Sequence, residues 1–184
     1  MKILMHWSFI PVLAVLLFAC DGVIVEDFGS NSANYSDGDF DMATVNGEIA
    51  TVVVGNPFSQ NSSTFDDRVR TLMKNQIVGF PISFVSRHGA NTTKPYKVVV
   101  VFNPRRDVDN RMICRKGKQT PMTSGHPGQV SVAMSFCDGK ILKSGTRGRV
   151  GNITGENDPK FIALVQQVTD AMVPSVGAQR FRER

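Results

Sequence analysis

Four consecutive valines, Val98-Val99-Val100-Val101, restrict the fold of this chain more than any other stretch. Successive side chains of an extended strand point to opposite faces, so a run that is apolar at every position must bury both. Valine is also β-branched, which favours the strand over the helix. The run, spanning 96–102 and ended by Asn103-Pro104, is therefore expected to be a central strand covered on both sides. Residues 49–54 have the same character and stop at Gly55-Asn56-Pro57. An imperfect alternation over 80–86 leads through a turn at 89–95 into the valine strand. Residues 129–136 and 140–149 form two more candidates, joined by Cys137-Asp138-Gly139-Lys140, whose Asp-Gly suits a tight hairpin.

Two helices stand out by their periodicity. Phe65, Val69, Leu72 and Met73 share one helical face behind a cap at Ser63 or Thr64. Asn157 or Asp158 caps a second helix with Pro159 in its first turn and Pro174 closing it. Its apolar face is Phe161, Ile162, Leu164, Val165, Val168 and Met172. A length of 184 residues is that of one domain, and 41% hydrophobic content can build a core. These elements predict an α+β domain, a mostly antiparallel sheet of about five strands with two main helices packed on it.

The N-terminus has a different character. Met1 and Lys2 precede an apolar run over 3–19, interrupted by His6, Ser8 and Pro11. A bilayer-spanning helix needs about 20 apolar residues, and a proline in mid-run opposes one. The layout is that of a signal peptide. It ends in Leu17-Phe18-Ala19-Cys20, which resembles the lipobox of bacterial lipoproteins: Leu17 at −3, small Ala19 at −1 and Cys20 at +1, with Phe18 larger than usual at −2. The resemblance implies a signal peptide over 1–19, cleavage before Cys20, and acylation of that thiol, palmitate included. It also implies a domain held in the periplasm by a membrane anchor. Asp21 resembles the inner-membrane retention signal of enteric lipoproteins. The pair of stretches Val132-Ala133-Met134-Ser135-Phe136-Cys137 and Asp158-Pro159-Lys160-Phe161 is similar to a group of proteobacterial lipoproteins that carries no assigned activity. The segment 20–41 is acidic, with Asp21, Glu26, Asp27, Asp37, Asp39 and Asp41 and no Lys or Arg. It is expected to be a mobile tether, although Val23-Ile24-Val25 is apolar enough to dock. A single domain over 42–176 and a basic tail over 177–184 would follow.

With Cys20 assigned to lipid, Cys114 and Cys137 remain as an even pair in an oxidising compartment. A disulfide is expected, worth roughly 3 kcal/mol through the loop that it closes. Two buried free thiols are the alternative. The spacing is not that of a zinc site.

Charge is the strongest remaining feature. Between Arg87 and Arg149 there are 13 Lys and Arg against three Asp, an excess opposite in sign to the acidic segment. Arg105, Arg106, Arg111, Arg115, Lys116 and Lys118 crowd a long polar loop, and Lys140, Lys143, Arg147 and Arg149 follow along the hairpin. Such a field favours anionic partners. An export signal argues against nucleic acid and for an anionic envelope component or a protein partner. The acidic segment could also fold back on the basic one.

Sequence patterns of hydrolases, nucleotide-binding loops and calcium loops are absent. Asp107-Val108-Asp109-Asn110 lacks the glycine and closing glutamate of a calcium loop. No cofactor, metal or catalytic residue is assigned. The leading expectation is a non-enzymatic, lipid-anchored envelope domain that binds through its basic residues. The alternative is an envelope enzyme using His88 or His126, both in glycine-containing loops.

Overall fold

A computed structural model of the chain describes residues 22–26, 35–44, 46–58, 61–77, 79, 81–86 and 95–173. The elements in order are β1 (Ile24–Glu26), α1 (Asp37–Ala43), β2 (Glu48–Val54), α2 (Ser62–Met73), β3 (Ser83–Val85), β4 (Tyr96–Phe102) and α3 (Asn110–Lys116). A short 3-10 turn (Gly117–Gln119), β5 (Val130–Asp138), β6 (Ile141–Val150) and α4 (Pro159–Met172) complete them. The valine strand is central, in the order β1-β6-β5-β4-β2-β3. Val98, Val99, Val100 and Val101 are all 0% exposed, with alternate members facing two separate apolar clusters. The α+β class therefore holds.

The sheet itself differs from expectation. Among the described residues it has six strands, not five, and it is mixed: β2 runs parallel to both β3 and β4, while β4, β5, β6 and β1 pair antiparallel. The α2 crossover places β3 beside β2 in parallel, which a tight hairpin could not do. A turn between β3 and β4 would make them antiparallel neighbours, yet β2 lies between them. Apolar runs on both parities reveal burial but not strand direction.

Three helices cover one face. Phe65 of α2 packs edge-on against Phe102 of β4, with ring centroids 5.1 Å apart. Phe58 likewise meets Phe161 of α4 at 5.0 Å. Each such ring contributes roughly 1.5–3 kcal/mol by leaving water. The expected faces of α2 and α4 are buried as read, with Thr169 added to α4 and Ile162 only half-buried. Asn61 caps α2, two or three residues before the expected Ser63 or Thr64, and Asp158 caps α4. The strand Gly148 lies under α4 because a Cβ there would stand 2.5 Å from Val168 Cγ2 and 2.9 Å from Leu164 Cδ1.

The acidic segment is not a plain tether. Ile24–Glu26 adds an edge strand to β6, and Asp37–Ala43 forms α1. Phe40 of α1 is fully buried and packs edge-on against Phe136 at 5.0 Å. Asp39 accepts from the Ser36 backbone N–H at 2.8 Å and pairs with Lys143 Nζ at 3.3 Å. Asp39 and Glu26 thus pair with cations of the basic hairpin. The expected signal peptide, Cys20, His88, and the tail at 177–184 lie outside the described residues.

Candidate functional site

The opposite face of the sheet carries a thin cover: α3, the 3-10 turn and the loops around them. Asp109 starts α3 by accepting from the Met112 backbone N–H at 2.6 Å. Ile113 and Cys114 point into the small cluster formed with Val99, Val101, Ala133, Cys137 and Leu142. The Cys114 and Cys137 sulfurs are 1.98 Å apart, at disulfide distance, which joins α3 to β5 as expected.

Asn110 makes the second attachment. Its Nδ2 donates to the Met134 carbonyl at 2.9 Å, and its own carbonyl accepts from Ser135 Oγ at 3.3 Å. Arg147 Nε donates to Asn110 Oδ1 at 3.1 Å, and Arg147 Nη2 donates to the Val108 carbonyl. Gly145 makes room for this arrangement, since a Cβ there would stand 2.1 Å from Asn110 Nδ2. Burial pulls the Arg147 guanidinium below its ordinary value, offset by the fields of Asp109 and Glu26.

The ten basic residues read from the sequence divide between surroundings. Arg105 is exposed and holds Asp107 through two bonds of 2.8 and 2.5 Å, which raise the arginine and lower the carboxyl from their usual values. Arg106 and Arg111 are exposed beside the start of α3, and Arg115 and Lys116 are exposed in its last turn. Cations there complement the helix C-terminus. Lys118 is exposed on the 3-10 turn, and with Arg70 it opposes the rise that burial gives the Asp66 carboxyl. Lys140 is exposed at the hairpin tip.

The remaining three have partners within the domain, Lys143 and Arg147 half-buried and Arg149 still exposed. Residues Phe136 and Cys137 straddle a bulge, pairing with Ser144 and Leu142, so Lys143 is the extra residue of β6 and reaches α1 on the other side of the sheet. Arg147 holds α3. Arg149 lies 3.8 Å from Glu26. Two acids of the N-terminal segment thus match two cations of the hairpin, and the exposed excess is concentrated around α3. Arg106, Arg111, Arg115, Lys116, Lys118 and Lys140 make no ion pair among the described residues.

Arg106, Arg111 and Arg147 also border an open cleft of about 350 Å³, floored by Val108 and Leu142. A guanidinium presents its donors in a planar fork suited to carboxylate or phosphate oxygens. Asp107 and Asp109 share the cleft wall, the first engaged by Arg105 and the second by the α3 backbone. His126 is exposed in a turn, where its carbonyl accepts from Gln129 N–H; no hydrogen bond to its ring is present among the described residues.

Sequence reasoning overlooked α3, Asn110 and Gly145. The seven-residue helix has too few turns for a periodic pattern, and Asp109 before Asn110-Arg111-Met112 was its only cap signal.

Neither a family model nor a curated protein sequence matches the chain. Among solved structures, it is similar to the PelC dodecamer from Paraburkholderia phytofirmans: 10% identity, a TM-score of 0.39, and coverage of 83% of this chain and 99% of that one. A single-substitution variant of the same dodecamer gives 10% identity and a TM-score of 0.37, covering 67% and 86%.

Proposed function

We propose that this protein is a lipid-anchored cell-envelope protein, acylated on Cys20 after removal of residues 1–19, whose domain binds an anionic or protein partner without performing catalysis. The observation that carries the binding reading is the preorganised basic helix. Arg111, Arg115 and Lys116 project from a short element attached at one end by Asn110 and Arg147 and at the other by the Cys114–Cys137 pair. Seven residues would not hold a helix in water by themselves. The attachments keep its cations in fixed relative positions, which lowers the ordering cost of meeting an anionic partner. The anchor rests on the lipobox-like sequence, and an inner-membrane location rests on Asp21.

Charge reversal tests the binding reading. The acylated chain in detergent, with Arg111→Glu and Arg115→Glu together, should lose retention on an immobilised phosphorylated or sulfated polymer. Photo-cross-linking from position 112 in intact cells should lose its main adduct in the same variant. Unchanged retention with unchanged salt dependence, together with an unchanged adduct, would show that α3 is only a solvated surface.

A further inference from the structure

The docking of β1 has a consequence for how an anchored domain would sit. Ile24 pairs with Arg149 and Glu26 with Arg147, so β1 enters the sheet at the C-terminal end of β6. Cys20 precedes Ile24 by four residues. Four residues span at most about 14 Å however they are arranged. A lipid on Cys20 would therefore hold the Arg149 end of the sheet close to the bilayer, not at the end of a 20-residue tether.

Strand register shows what shares that end. Val150 pairs with Val130, Val132 with Phe102, and Val101 with Val54. The chain leaving Phe102 carries Arg105 and Arg106, both exposed. Met122, bridged to Pro104, is 44% exposed beside them. Ile141, 54% exposed, lies at the other end of β6, about 30 Å away at roughly 3.3 Å per residue.

We infer that the rim formed by Arg105, Arg106 and Arg149, with Met122 among them, is a membrane-contacting surface that rests on anionic phospholipid headgroups. This inference rests on the proposed acylation of Cys20. Cations around an apolar side chain suit the headgroup region, where the charges meet phosphates and the apolar group enters the acyl boundary. Asp107 and Glu26 already partner Arg105 and Arg149 in solution, and both pairs are exposed enough to exchange for lipid phosphates. Glu156 and Asp158 lie at the same end, in the loop from β6 into α4, and outnumber the one cation there, Lys160. The domain therefore tilts its α3 side toward the membrane, while the hairpin tip at Lys140 and Ile141 points away.

Trp7 is the only tryptophan of the full chain and falls in the segment removed by cleavage. Met122→Trp and Ile141→Trp therefore each create a single fluorophore in the processed protein. The acylated full-length product is reconstituted into vesicles of phosphatidylethanolamine and phosphatidylglycerol with brominated acyl chains. Met122→Trp emission should be quenched, Ile141→Trp emission unchanged, and the first effect lost with Arg105→Glu and Arg106→Glu. Equal quenching at both positions, quenching of Ile141→Trp alone, or quenching of neither in an acylated chain overturns the rim while leaving the anchor intact. An intact mass without an acyl group overturns the anchor and the rim with it.

Discussion

Replacing Gly145 with alanine tests how the basic helix is seated. The added Cβ would lie 2.1 Å from Asn110 Nδ2 and 2.9 Å from the Met134 carbonyl oxygen, so the Asn110 amide has to leave its seat. Its bond to Met134 contributes about 1 kcal/mol, and the charge-assisted bond from Arg147 Nε about 2 kcal/mol. Crowding of the new methyl against the strand carbonyl adds about 1 kcal/mol. The total is about 4 kcal/mol, which lowers Tm by roughly 10 °C in a domain of this size. Thermal and urea unfolding of Gly145→Ala, Asn110→Ala and the double variant form a cycle. Once Asn110 is truncated, Gly145→Ala should cost only the crowding, about 1 kcal/mol, because the bonds it would break are already gone. Additive losses, agreeing within about 0.5 kcal/mol, would refute the seating of Asn110 over Gly145.

Two further outcomes follow from the attachments of the helices. Reduction, or Cys114→Ser with Cys137→Ser, should cost roughly 3 kcal/mol and speed amide exchange over residues 110–116; two thiols alkylated in the native, unreduced protein would contradict the pairing. The Asp158 carboxylate accepts from the Lys160 and Thr154 backbone N–H groups, and those bonds hold it below the usual carboxylate range. A depressed folded value means the contribution is complete above the ordinary carboxylate value, about 3.9, and disappears as pH falls through the folded one. The Tm advantage of wild type over Asp158→Asn should therefore shrink on acidification below about pH 4, and a difference independent of pH would contradict it.

Burial was legible in the sequence wherever the pattern was local. The valine run identified the central strand, the spacing of Phe65 to Met73 and of Phe161 to Met172 identified two buried helix faces, and Asp138-Gly139 placed the β5–β6 turn to within one residue, its two loop residues being Gly139 and Lys140. Each of these depends on side-chain periodicity or turn geometry within a dozen or so residues. The pairing of Cys114 with Cys137 came from parity and compartment, without any knowledge of the fold between them.

Tertiary structure decided what depends on residues far apart in the chain. Strand direction was set by the α2 crossover, because an apolar run reads the same in a parallel or an antiparallel pair. The described parts of the acidic segment became β1 and α1 because Phe40 found Phe136, and Asp39 found Lys143, each about a hundred positions away. The ten cations appeared in sequence as one patch. Folding divided them, since a bulge at Lys143 sent one through to the helical face and Arg147 turned inward to Asn110. Charge could be counted along the chain. Which charges remain exposed together was settled only when the strands took their register.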